Sequence, residues 1–250
     1  MEDLKKIFNE TKFNPKVELV ENESTDKLYL YGSIVEEVPK NWWTGEEVDG
    51  DYITMDSIKD AFNQSKNKNI EIHLNSRGGE VYTSVAIGNF IKDSDKNVTM
   101  IIDAIAASGA SIIAMSGDKI KMYPNSMMMI HRASVSCWGN ADDLRKVAEN
   151  LEKFDETVQA SYLNHFKGTS EELKALIWNE TYLTADECLT LGFCEEIIDK
   201  HKEKKEVVEN KEQINVKSSL LDKYKITKKE EPKVVNKEKK NLLNKFRKGE

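Results

Sequence analysis

Two hydrophobic rhythms alternate along the first 130 residues. In "KLYLYGSI" (27–34) and "NIEIHLN" (69–75) every second residue is apolar, the pattern of strands with one buried face. "NVTMIIDAIA" (97–106) is nearly continuous in apolar residues, as a strand buried on both faces would be. Between these runs, "YITMDSIKDAFNQSK" (52–66) and "GGEVYTSVAIGNFIKDS" (78–94) carry apolar residues three and four apart, which predicts amphipathic helices, the second opened by a glycine pair. A short apolar helix is expected from Ser108 to Met115, and "DKIKMYPNSMMMIH" (118–131) reads as two short strands joined at "PNS". Strands and helices taking turns in this way imply βαβ-like units, an α/β fold with helices laid against a central sheet.

From Asn140 the pattern becomes helical. Leu144, Val147, Leu151, Phe154 and Val158 recur at spacings of three and four, so a long helix over 141–166 should carry one apolar stripe. A start at Asn140 or Ala141 places aspartates in the first turn, where the helix dipole favours them. "SEELKALIW" is a shorter helix opening at Ser170, and "TADECLTLGF" another, closed by Gly192. Beyond residue 200 the chain is rich in Lys, Glu and Asn with little periodicity, which predicts a solvated arm; "KNLLNKFRKG" gathers Leu242, Leu243 and Phe246 among bases. The expected organisation is an N-terminal segment 1–26, one domain 27–200 and a basic, flexible tail 201–250.

The net charge of -7 conceals an asymmetry. Residues 1–200 hold 21 Lys and Arg against 35 Asp and Glu, whereas residues 201–250 hold 16 against 9. An acidic body argues against a nucleic-acid surface on the main domain and leaves the tail free to meet an acidic partner. Cys137, Cys188 and Cys194 lack the spacing of a disulfide framework or a zinc site, which suits a reducing cytoplasm. No signal peptide and no membrane span is read from the sequence, and neither a metal nor a cofactor is expected.

Two side chains stand out chemically. Ser108 in "AIAASGASII" lies where the buried strand gives way to a helix of small residues, so its hydroxyl should project at the sheet edge with the Gly109 N–H beside it. His131 ends the run "MMMIH". Each has an ordinary structural explanation, a helix cap for the serine and a core residue for the histidine. A serine alkoxide, however, needs a base in hydrogen-bond reach. His73 alternates inside a strand, His165 comes late in a long helix and His201 opens the tail, which leaves His131 best placed. "NSRGGEV" (75–81) lacks a GKS ending and the G-x-G-x-x-G pattern, so nucleotide binding is weakly supported; the glycines instead permit a close backbone approach to a ligand, or simply make a tight turn.

Taken together, these residues resemble the Clp protease proteolytic subunit (ClpP) family, and within it the phage-encoded branch of head maturation (prohead) proteases. "NSRGGEVYTSVAIGNFI" is similar to the family's NSPGG turn and helix. "DAIAASGASIIAMSGDKIKMYPNSMMMIHRAS" is similar to its nucleophile and histidine segments, in the same order. The resemblance covers about residues 27–198 and implies a ClpP/crotonase-like fold of stacked βαβ-derived units with a projecting long helix. It also implies Ser108 as nucleophile, His131 as general base, and the backbone N–H groups of Gly109, Gly78 and Gly79 as oxyanion hole. Aligning "ETYLTADEC" with the family's third motif gives Glu180 as the orienting carboxylate, with Asp186 or another carboxylate near the site as the alternative.

The same resemblance implies a serine endopeptidase acting on protein substrates in homo-oligomeric rings, without a cofactor. For a phage branch member the partners would be scaffold, capsid or portal proteins in the host cytoplasm, within the procapsid. Some features depart from the cellular pattern. Arg77 replaces the turn proline, "PKNWWTGEEVDGD" lengthens the connection after the first strand, and no axial loop is recognisable at the start, which argues against an unfoldase ATPase partner. Trp42 and Trp43 are expected to tuck this loop onto the core, the alternative being a contact surface. Two rival readings are a catalytically silent assembly factor of the same fold and a crotonase-like acyl-CoA enzyme; the second needs no serine–histidine pair.

Overall fold

The computed structural model describes residues 17–198 and 219–224, and the Leu242/Leu243/Phe246 cluster lies outside them. The strands are β1 (Val17–Val20), β2 (Thr25–Ile34), β3 (Tyr52–Ile53), β4 (Asn69–Gly79), β5 (Asn97–Ala107), β6 (Lys119–Met122), β7 (Met127–Ile130), β8 (Thr181–Thr184) and β9 (Glu196–Ile197). The helices are α1 (Met55–Gln64), α2 (Val81–Asp93), α3 (Gly109–Ala114), α4 (Ala141–Tyr162), α5 (Ser170–Trp178) and α6 (Ala185–Leu191). One sheet runs in the order β1-β2-β4-β5-β6-β9, parallel from β2 onward, with β3 beside β2 and the β7–β8 pair joined through β5. This is the mixed α/β architecture the periodicity predicts.

Alternation decides which face is covered. Leu28 and Leu30 of β2, Ile70, Ile72 and Leu74 of β4, and Val98, Met100 and Ile102 of β5 are all buried on one face. Ile58 and Phe62 of α1, Ile87 and Ile91 of α2, and Ile113 of α3 close over them. Burial of this kind contributes about 25 cal/mol per Å² of apolar surface and is the main force holding the layers together. On the opposite face, Tyr31 Oη donates to Asp103 Oδ2 (2.5 Å), the same carboxylate holds His73 Nδ1 at 2.9 Å, and Tyr29 stacks on the His73 ring.

Several boundaries differ from the sequence expectation for local reasons. Val17–Val20, within the N-terminal segment 1–26, pairs antiparallel with β2. Tyr52 and Ile53 form a strand rather than the first turn of α1, because the Thr54 side chain accepts the Ser57 N–H and Ser57 returns a bond to Thr54, a capping box that sets the helix start. Thr169, not Ser170, caps α5 in the same manner with Glu172. The long helix stops at Tyr162. Residues 219–224, expected within the flexible tail, include Leu221 buried in the main core, and Asn179 Nδ2 donates to the Tyr224 carbonyl at 2.8 Å.

The largest correction concerns Trp42 and Trp43, which are 87% and 79% exposed and do not tuck onto the core. Their loop is a self-supporting hairpin. Lys40 bridges Glu47, Asn41 N–H donates to the Glu46 carbonyl, and Asn41 Oδ1 accepts the N–H groups of Trp43 and Thr44. With its backbone satisfied internally, the loop has no need of an aromatic anchor. No helix among the described residues is long and apolar enough to cross a membrane.

Candidate active site

The site arises where β5 changes partner. Its first half, Thr99–Ile102, runs beside β6, and its end, Ile105–Ala107, beside β7. Ala107 lies opposite Met129, so Ser108 and His131 leave neighbouring parallel strands close to the same level. The Ser108 N–H donates to the Met129 carbonyl (2.9 Å), pinning the crossing, and His131 Nε2 lies 2.7 Å from Ser108 Oγ. With the hydroxyl donating, Nε2 is the acceptor, the geometry a general base requires.

The serine sits on a strained elbow, with φ 54° and ψ -123°. A side chain bearing a Cβ rarely adopts such angles, and they persist only where surrounding contacts hold them. Here the Ser108 carbonyl accepts the Ser111 N–H (3.0 Å) and Ser111 Oγ (2.5 Å), and Ser111 Oγ is bonded in turn to Tyr162 Oη (2.7 Å). Since Ser111 has one hydroxyl hydrogen, Tyr162 is the donor of that second bond. Burial raises the Tyr162 phenol far above its ordinary range, so it stays a neutral donor. Ser111→Ala will leave that buried phenol without a partner and cost about 1–3 kcal/mol in urea denaturation. Adding Tyr162→Phe will recover part of the loss, because the orphaned hydroxyl is then gone.

The glycine turn packs directly on this elbow. Gly78 N–H donates to Ser76 Oγ (3.0 Å), whose own hydrogen goes to the Gly32 carbonyl (2.6 Å). The Gly78 amide is therefore engaged, and the exposed member of the turn is Gly79. A Cβ placed on Gly109 would lie 3.4 Å from Gly79 N, so the two amides are neighbours beside Ser108. Gly109 N–H opens α3 and has no acceptor among the described residues.

The other sequence candidates are placed less directly. His73 is committed to Asp103 on the far face of the sheet, His165 Nε2 is 3.2 Å from the Met115 carbonyl, and His201 is outside the described residues. The antiparallel β7–β8 ladder ends with Ile130 opposite Thr181, so Glu180 stands opposite His131 one step beyond it. Its side chain is exposed, and among the described residues the only hydrogen bond of His131 is the one to Ser108. Asp186 is exposed in the first turn of α6 and makes no bond to His131 either. Ser108 and Glu180 are the two non-glycine residues with positive φ among those described, and both flank His131. Asp155 was not anticipated: its Oδ1 accepts the Ala133 N–H (2.9 Å) and ties α4 to the chain leaving His131. Nothing in the helical spacing of Asp155 sets it apart from the other acids of α4, so only the tertiary contact reveals it.

A groove of about 680 Å³ runs between α2, the chain after His131 and α4, lined by Glu80, which follows Gly79, and by Ala133, two residues beyond His131. Among the described residues, no group of three or more His, Cys, Asp or Glu side chains is arranged to hold a metal ion.

A serine hydroxyl on a strained strand-to-helix elbow, with an imidazole in reach from the adjacent parallel strand, places the molecule among α/β proteins with serine-hydrolase geometry. The family model for Clp protease matches residues 57–201, more than half of the chain, and the chain belongs to that family of serine-type peptidases. The ATP-dependent Clp protease proteolytic subunit of Deinococcus radiodurans is 31% identical over 142 residues, which cover 56% of this chain and 70% of that protein. The protein of the same name from Streptococcus gordonii is 32% identical over 139 residues, 54% of this chain and 71% of the relative. One from Bacteroides fragilis is 24% identical over 175 residues, 69% and 79% of the two chains.

Proposed function

We propose that this chain is a serine endopeptidase of phage head maturation type. Ser108 attacks the scissile carbonyl, His131 takes the hydroxyl proton and returns it to the leaving amine, and Glu180 orients the imidazole. The Gly79 and Gly109 amides receive the oxyanion, while Gly78 holds their spacing. The single observation that carries this reading is the 2.7 Å contact between His131 Nε2 and Ser108 Oγ on a backbone strained at that residue. Glu180 is supported by its register opposite His131 and by its own positive φ of 49°.

The phage assignment is supported by the inserted hairpin after β2 and by a basic tail suited to an acidic assembly partner. Ring formation is supported by α4, whose stripe is only partly covered within one chain: Val158 is buried, Leu151 and Phe154 are half-buried, and Leu144 is 44% exposed. Residues 27–200 with β1 would form the protease domain, working in the host cytoplasm inside the assembling shell and without an ATPase partner. Co-expression with phage scaffold and major capsid proteins tests this reading. Mass spectrometry should find both trimmed at defined sites when Ser108 is present and intact with Ser108→Ala. Intact proteins in both cases would contradict it and favour a silent assembly factor.

A further inference from the structure

The groove lined by Glu80 and Ala133 has a mixed character. Val81 of α2, Val135 of the loop after His131, and Leu151 and Phe154 of α4 give it apolar walls, while Glu36 and Glu80 border it and no Lys or Arg among the described residues lines it. The two glutamates adjoin: Glu80 Oε2 accepts the Glu36 backbone N–H at 2.8 Å and the Thr83 hydroxyl at 3.2 Å. Glu80 is thus held in place, one residue from the exposed Gly79 amide. Neither glutamate has a basic partner among the described residues, and Arg77, three residues before Glu80, pairs with neither.

We infer that Glu36 and Glu80 make this groove selective for substrate side chains with a long aliphatic stem and a cationic end, so that cleavage favours bonds next to lysine or arginine. This rests on the proposed peptidase reading. The stem of such a side chain covers the valine, leucine and phenylalanine walls while its head reaches the border, the division of labour that long basic side chains adopt on partly apolar surfaces. A cation at a border that carries Glu80 and Glu36 is attracted by their charge, whereas a substrate acid is repelled. An apolar side chain of equal length obtains the first contribution and not the second.

The test is a set of fluorogenic peptides identical except at the residue before the scissile bond, which is Lys, Arg, citrulline or norleucine, assayed on the full chain. The expected kcat/KM for Lys and Arg exceeds that for citrulline and norleucine by about fivefold to tenfold, the range for two partly exposed ion pairs. The advantage should shrink as salt rises. In E36Q/E80Q the ratio of Lys to norleucine should fall toward one, and because both peptides are measured on the same sample, a loss of folded protein cancels. Equal rates in the parent chain, or a Lys advantage unchanged in E36Q/E80Q, overturns the inference. Failure to cleave any peptide while Ser108 remains inert to a fluorophosphonate removes the peptidase reading and the inference with it; a reactive Ser108 without basic preference removes the inference alone.

Discussion

Ser108→Ala will lower peptide hydrolysis on the order of 10⁶-fold while leaving the fold in place. The size of the effect follows from the geometry. The serine oxygen is the atom His131 Nε2 touches, and no second hydroxyl among the described residues bonds to that imidazole. Removing Oγ deletes the nucleophile and strands the base. Only the neighbouring amides and the groove remain, and these sustain a small residual rate. Stability should move little, because the elbow is held by the Ser108 N–H and carbonyl, which the substitution keeps. Circular dichroism and urea denaturation beside the kinetic assay will show native-like unfolding together with lost turnover. Comparable loss of both would mean that the side chain serves the fold rather than the reaction.

Gly78→Ala will do the opposite, damaging the structure first. Gly78 has φ +94°, and a Cβ there would lie 2.5 Å from the Ala107 carbonyl, 2.7 Å from Gly109 N and 2.8 Å from Ser108 Cβ. All three atoms belong to the elbow or to the strand feeding it, so none can give way without moving Ser108. Overpacking of this kind costs about 1–3 kcal/mol, and the positive φ adds about 1–2 kcal/mol. Displacing the Gly109 amide should further cut turnover by about 10²-fold or more, the usual result of losing one oxyanion donor. Gly45 supplies the control, since it also has positive φ, +71°, but nothing lies within 4 Å of its missing Cβ. Gly45→Ala should therefore show the conformational cost alone and retain activity. Equal penalties at the two positions would refute the packing explanation.

The contrast between these glycines shows what a sequence can and cannot convey. The alternating runs, the glycine pair and the small residues around Ser108 announce strands, a close approach and an elbow, because those patterns reflect constraints carried locally by each residue. The meeting of Ser108 with His131 could be inferred from chemistry and from the order of the family motifs, and the change of partner along β5 is its physical cause. Contacts made by ordinary residues across long separations were not legible. Ser111 and Tyr162, 51 residues apart, look like a helix serine and a core tyrosine until the two hydroxyls meet. Asp155 is one acid among many on α4 until its carboxylate takes the Ala133 N–H. Trp42 and Trp43 misled because aromatic residues in a loop ordinarily seek the core, whereas the Asn41 side chain makes this hairpin independent of it. The β7–β8 register puts Glu180 opposite His131, and the direction of its side chain depends on a left-handed turn that no motif spells out.

Covalent mapping tests the central claim most directly. The full chain is treated with a fluorophosphonate, digested and analysed by tandem mass spectrometry, in parallel with His131→Asn. The adduct should fall on Ser108 alone and drop sharply when the imidazole is gone. A chain that takes up no reagent, that carries the adduct on another serine, or that labels equally well without His131 would show that 2.7 Å contact to have no chemical consequence.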